Sequence, residues 1–232
     1  MAQPRQFSTA AVAAGLTFVL PGIESESIFT YGICDGLLDG GLPGAVRVFD
    51  WGLPFPGGYF SNLMRLDRNR RRAQDLAQHI IEYQDAYPGS PVHIVAHSGG
   101  CGIALFAAEA LPVDRQIQSI VLLSGAVSPT YDLRHALART TVGILNSYSP
   151  KDHLVLGLGC RVFGTTDRQF CPASGHVGFS RPEHVPEGAY DKLTQIRWTP
   201  EMAKHCSHFG GHITSACEQY IARHITPWMT RR

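Results

Sequence analysis

Short apolar runs alternate along this chain with stretches in which apolar residues recur every three or four positions. The runs at 16–20, 45–50, 92–96, 120–124 and 142–147 are rich in Val, Ile, Leu and Phe and nearly uninterrupted, as strands buried on both faces should be. The clearest helical pattern covers 69–87. Ala73, Leu76, Ala77, Ile80 and Ile81 form one stripe there, with Arg70, Arg71, Gln74, Asp75, Gln78 and Glu82 elsewhere. Pro88-Gly89 stops that helix, and Val92 starts the next strand. A last helix is predicted at 214–228, with Thr214 or Ser215 as N-cap and Glu218 completing a capping box. Strands alternating with helices predict an α/β fold, a three-layer α/β/α sandwich around a mainly parallel sheet. No internal repeat interrupts it. Residues 153–200, rich in Gly, Pro and His, read as a loop-rich excursion from a single domain spanning 1–232.

Composition narrows the partners. The 232 residues are 44% apolar, enough for one substantial core. Twenty Lys and Arg against 19 Asp and Glu leave a net charge of +1, so no bulk field draws the protein to nucleic acid. The cluster Arg65, Arg68, Arg70, Arg71, Arg72 reads as a solvated face at a helix start. No apolar run approaches the roughly 18 residues of a membrane span, so no integral membrane segment is predicted. The run Leu16–Leu20 ends in Pro21-Gly22 and reads as a core strand rather than a secretory signal. A soluble cytoplasmic protein is expected, with secretion as the alternative. Six cysteines without a C-x-x-C pair read as buried thiols; Cys160 and Cys171 are the two that would close a short loop in an oxidising compartment. Nothing in the pattern speaks to oligomeric state.

The most informative stretch runs from Val92 to Ala104, where a buried strand passes through Ala96-His97-Ser98-Gly99-Gly100 straight into a small-residue helix. This is the pattern of a nucleophile elbow, a sharp turn that lifts a serine hydroxyl above the end of a strand. Ala96 stands where Gly is usual. A serine hydroxyl needs a histidine to take its proton and a carboxylate to orient that histidine, in the chain order Ser, acid, His. Asp152 follows the last clear strand and is the leading acid, with Asp132 its competitor and Asp167 a weaker one. His212 is the leading base. It follows two glycines and stands just before the expected helix cap, with His208 the runner-up and His205 behind it. Gly99 N–H would supply one oxyanion donor and Ile23 N–H the other, although Pro21-Gly22 reads equally well as an ordinary strand-ending turn. Trp51, Phe55 and Phe60 offer either an apolar wall or loop packing. The remaining eight histidines, His97 and His153 among them, read as surface or packed residues.

Taken together, Leu20-Pro21-Gly22-Ile23-Glu24, the elbow, Asn146-Ser147-Tyr148-Ser149-Pro150-Lys151-Asp152 and Gly210-Gly211-His212 resemble the α/β-hydrolase superfamily of lipases and esterases. Leu156-Gly157-Leu158-Gly159 and Gly164-Thr165-Thr166-Asp167 extend the likeness to a little-characterised bacterial branch of it. The resemblance implies Ser98 as nucleophile, Asp152 as acid and His212 as base. It implies a minimal version of the fold, with five or six strands and the usual two N-terminal strands missing or reduced. The expected function is a serine hydrolase cleaving small or lipid-like carboxylic esters through an acyl-enzyme on Ser98, without cofactor or metal. The alternatives are a thioesterase or acyltransferase using the same residues, and a hydrolase-shaped binding protein that does not turn over. A metal site from His205, His208 and His212 is disfavoured, because Gly210-Gly211 would break the helix before the third ligand.

Overall fold

In a computed structural model describing residues 8–53 and 62–231, the apolar runs become the strands of one sheet. These are β1 (Leu16–Leu20), β2 (Ala45–Val48), β3 (Val92–His97), β4 (Ile117–Leu123), β5 (Thr140–Tyr148) and β6 (Leu193–Arg197). Their spatial order is β2-β1-β3-β4-β5-β6, and every neighbouring pair is parallel. The helices needed to return the chain are α1 (Thr9–Ala14), α2 (Ile28–Asp39), α3 (Leu66–Ala86), α4 (Gly100–Ala110), α5 (Arg134–Ala138) and α6 (Pro200–Cys206).

Consecutive residues of a strand point to opposite faces, and here both faces are covered. Ile94, Ala96, Ile120, Leu122 and Ile144 join α3, α4 and α5 in one core. Val95, Val121, Leu123 and Leu145 enter a second core with Ile33 and Leu37 of α2, Met202 of α6, and Tyr220, Ile221 and Trp228 of the terminal helical segment. Feeding two cores is what makes the middle of the central strands apolar at successive positions, as in Ile94-Val95-Ala96 and Ile120-Val121-Leu122-Leu123. The three layers and the parallel sheet are those expected.

Three departures have physical causes. Strand β6 lies inside the stretch read as loops. It is an edge strand whose five residues are half-buried or exposed, so Leu193-Thr194-Gln195-Ile196-Arg197 lacks the continuous apolar run of a central strand. The terminal helix starts at Glu218, after a tight turn over His212–Ala216, rather than at 214 or 215. The hydroxyls of Thr214 and Ser215 turn back to the carbonyls of Gly211 and His212 instead of capping it. The arginine cluster is only partly a solvated face: Arg68 donates to the Trp51 carbonyl at 2.6 Å and Arg72 to the Asp50 carbonyl at 2.9 Å, so α3 holds down the loop after β2. All six cysteines are free thiols, Cys160 and Cys171 included. Among the described residues no helix is long and apolar enough to cross a membrane.

Candidate active site

The turn between β3 and α4 places Ser98 at φ +53°, in the left-handed region that a residue with a Cβ occupies at a cost of about 1–2 kcal/mol. Neighbours hold it there. The Ser98 N–H donates to the Leu123 carbonyl, and the Ser98 carbonyl accepts from Ala126 N–H, both at 3.0 Å. The close crossing of α4 over β1 requires glycine at position 100, where a Cβ would stand 2.4 Å from the Pro21 carbonyl oxygen.

Two further side chains reach Ser98 from sheet-end loops. His212 Nε2 lies 2.8 Å from Ser98 Oγ, and His212 Nδ1 lies 2.7 Å from Asp152 Oδ2. A carboxylate only accepts, so Nδ1 carries the proton and the Nε2 lone pair is left to take the serine proton. Ser98 and Asp152 are 4% and 3% exposed, which keeps the line of hydrogen bonds largely out of water. Asp152 is fixed through its main chain: its N–H donates to the Ser149 carbonyl, and its own carbonyl accepts from Leu156 and Gly157.

The competing residues lie elsewhere. His208 is buried against the Tyr220 ring at 4.6 Å and pairs with the Thr214 hydroxyl at 3.0 Å. Burial, helped by the nearby His224 and opposed by Asp152, pushes its imidazole down to about 4. It is a neutral packing histidine. His205 is exposed on α6, so the three histidines of the loop region do not converge. Asp132 is paired with the Arg134 guanidinium at 2.6 Å, and Asp167 accepts from Ser128 and Thr165.

The loop after β1 carries the other expected donor. Among the described residues, neither the Ile23 N–H nor the Gly99 N–H donates to a protein acceptor. Gly99 also sits at the N-terminus of α4, where the helix dipole favours negative charge. The loop is tied from three sides: Trp51 Nε1 donates to the Pro21 carbonyl at 2.8 Å, Asn62 Nδ2 to the Ile23 carbonyl at 2.9 Å, and Ser25 Oγ to the Asp50 carboxylate at 2.6 Å. Asn62 has no periodic pattern around it, and no sequence signal marks it.

Beside Ser98 lies a cavity of about 190 Å³ walled by Ile23, Leu63, Ala126, Leu156, Cys160 and Phe163. Trp51 is fully buried below it and acts as packing, while Phe55 and Phe60 lie outside the described residues. The wall comes mainly from 155–163, inside the stretch read as a loop excursion, which folds over Ser98 in wide helical turns. Cys160 is no rival to the serine. Burial, reinforced by the Asp152 carboxylate, pushes its thiol up to about 12, so it stays protonated.

No family model matches this sequence, and no curated protein matches it by sequence. Solved structures do match in shape. Est1E from Butyrivibrio proteoclasticus with ferulic acid bound superposes with a TM-score of 0.58 at 10% identity, over 98% of this chain and 92% of that one. The esterase domain of a Rhodothermus marinus protein gives 0.51 at 13% identity, over 95% and 87%. This chain has the α/β-hydrolase fold. TT1662 from Thermus thermophilus gives 0.54 at 14% identity, over 94% and 90%, a likeness in shape that again spans nearly the whole chain. At such low identities it concerns architecture, and the chemistry has to be argued from the site.

Proposed function

We propose that the protein is a serine hydrolase of carboxylic esters with an apolar acyl group. The observation that carries this reading is the unbroken pair of short contacts Ser98 Oγ to His212 Nε2 and His212 Nδ1 to Asp152 Oδ2, opening on an apolar cavity. In the first half-reaction Ser98 Oγ attacks the acyl carbon as its proton passes to His212 Nε2. The alkoxide leaves with that proton, giving an acyl-serine and a free alcohol. Water, giving a proton to His212 Nε2, then attacks the acyl carbon; the bond to Ser98 Oγ breaks, His212 passes that proton to Oγ, and the carboxylic acid leaves. Asp152 keeps the imidazole in the required tautomer and balances the imidazolium. The Ile23 and Gly99 N–H groups receive the developing oxyanion, a donor pair of a kind typically worth about 3 kcal/mol per member. An acyl chain lies against Ile23, Leu63 and Leu156, and among the described residues the lining is apolar apart from the serine hydroxyl and the Cys160 thiol.

A fluorophosphonate probe tests the reading directly. Labelling of the wild type that disappears in Ser98→Ala is the expected result; a folded wild type that neither labels nor hydrolyses any member of a p-nitrophenyl ester series would overturn it. The same series, run from short to long acyl chains, reads the depth of the cavity. Thioester and alcohol acceptors run alongside it would place the protein among thioesterases or acyltransferases if they are used in preference.

A further inference from the structure

One buried polar group close to Ser98 takes no part in the chemistry above. His97, next to the serine in sequence, is 2% exposed and stands with its ring 5.0 Å from that of His212. Its Nε2 lies 3.1 Å from the His212 main-chain carbonyl. Its Nδ1 makes no hydrogen bond, an expensive condition for a buried nitrogen, and it faces Glu24 Oε1 at 3.8 Å. Both ring nitrogens therefore face acceptors, a carbonyl and a carboxylate, and Nε2 carries a proton where it bonds the His212 carbonyl.

The geometry points to His97 and Glu24 as a second carboxylate–imidazole pair, set behind the first, that holds the His212 loop and the Ile23 loop in one register. This rests on the proposed hydrolysis at Ser98. His97 is then a positioning residue. It touches no reacting atom but fixes the carbonyl of the residue whose ring does, while Glu24 follows directly on the Ile23 whose N–H faces the oxyanion. A second side chain, Ser215 Oγ, donates to the His212 carbonyl at 3.1 Å and itself receives a bond from Ser124 Oγ at 2.8 Å. The main chain of the base is thus pinned from the ends of both β3 and β4.

Glu24 is placed to be ionised. Burial pushes its carboxyl up, but the His97 ring, its own N–H and the charge His212 carries when protonated together hold it below the ordinary carboxylate range. The carboxylate also folds back over Gly22, where a Cβ would stand 2.2 Å from Glu24 Oε2.

The test compares His97→Leu, His97→Gln and Glu24→Gln with the wild type on a soluble p-nitrophenyl ester, taking kcat and KM separately. His97→Leu should lower kcat toward the order of 10²-fold that a misplaced catalytic group costs, with little change in KM. His97→Gln keeps a donor near the Nε2 position and should recover much of the loss. Glu24→Gln, at a side chain one-third exposed, should fold normally and lower kcat by a smaller factor. The downfield proton resonance of His212 Nδ1–H, seen in ¹⁵N-histidine-labelled protein, should be sharp in wild type and His97→Gln and broadened or shifted in His97→Leu. This readout needs no turnover, so it separates failure of the pair from failure of the hydrolase reading. Unchanged kcat and an unchanged resonance in both His97→Leu and Glu24→Gln would reduce the pair to packing. Should His97→Leu not fold, Glu24→Gln decides alone, by kcat and the same resonance.

Discussion

Between Ala96 and Gly102 the elbow's requirements fall on neighbouring residues, held by main-chain bonds to Leu123 and Ala126, whereas the loop that carries His212 is held by side chains from four distant elements. In the elbow, Ala96 is the small residue before the strand's last position, Ser98 takes the strained turn, and Gly100 lets α4 cross β1. In the base loop, His97 from β3 and Ser124 from the end of β4 act on the His212 carbonyl, the second through Ser215. Trp198, just past β6, donates to the His208 carbonyl at 2.7 Å, and Tyr220 of the terminal helix packs on the His208 ring. One half of the site is a local structure and the other is an assembly. Changes in the first should act through chemistry or local packing, and changes in the second through alignment.

The largest expected effect tests whether the two halves meet at all. Ser98→Ala and His212→Ala should each lower kcat by on the order of 10⁶, as in another serine hydrolase, in proteins whose circular dichroism is unchanged. His208→Gln should keep turnover. Loss of activity in His208→Gln with retention in His212→Ala would move the base to the other histidine.

A second test uses pH. Burial pushes both His93 and His208 down to about 4. Because the folded state binds these protons less readily than the unfolded chain, stability is full above the unfolded value near 6.5 and is lost as pH falls toward 4, by about 3 kcal/mol per histidine. Urea titrations from pH 7 to pH 4 measure it. His93→Leu or His208→Gln should flatten the slope, and an unchanged slope in both would show that carboxylates dominate acid unfolding.

Gly100→Ala sharpens the local side of the comparison. The added methyl meets main-chain oxygen rather than a movable side chain, so the elbow has to shift, at about 1–3 kcal/mol of stability by the usual cost of overpacking. Denaturant midpoints read this, and retained stability would mean that α4 and β1 separate more easily than their packing indicates. The smallest effect belongs to the assembled side. Ser215→Ala removes the side-chain donor that shares the His212 carbonyl with His97 and should cost about 1 kcal/mol, with a modest fall in kcat. A kcat unchanged in Ser215→Ala would leave His97 as the main anchor.

The same division explains what the sequence made legible. The elbow was readable because its requirements fall on neighbouring residues: an apolar strand, a small residue on either side, and a helix of Ala and Gly. The placement of Asp152 and His212 beside Ser98 agrees with what chain order and strand and helix ends suggested, whereas that His212 rather than His208 stands there is visible only in three-dimensional contacts with Ser98 and Tyr220. Strand β6 was hidden by its half-exposed edge position. The cavity wall at 155–163 was hidden because glycines at 157 and 159 and exposed apolar residues resemble a loop in composition. His97 reads as an ordinary packed histidine until the carbonyl it faces, 115 residues away in sequence, is known.

The dependence of the base loop on Trp198 ties competence to an edge of the sheet. Strand β6 has a neighbour on one side only, and the Trp198 N–H prolongs its pairing by donating to the Tyr148 carbonyl at 2.8 Å. Edges fray before centres do. As denaturant rises, the imidazole should lose its alignment while the two cores are still intact, so that inactivation precedes the global unfolding transition.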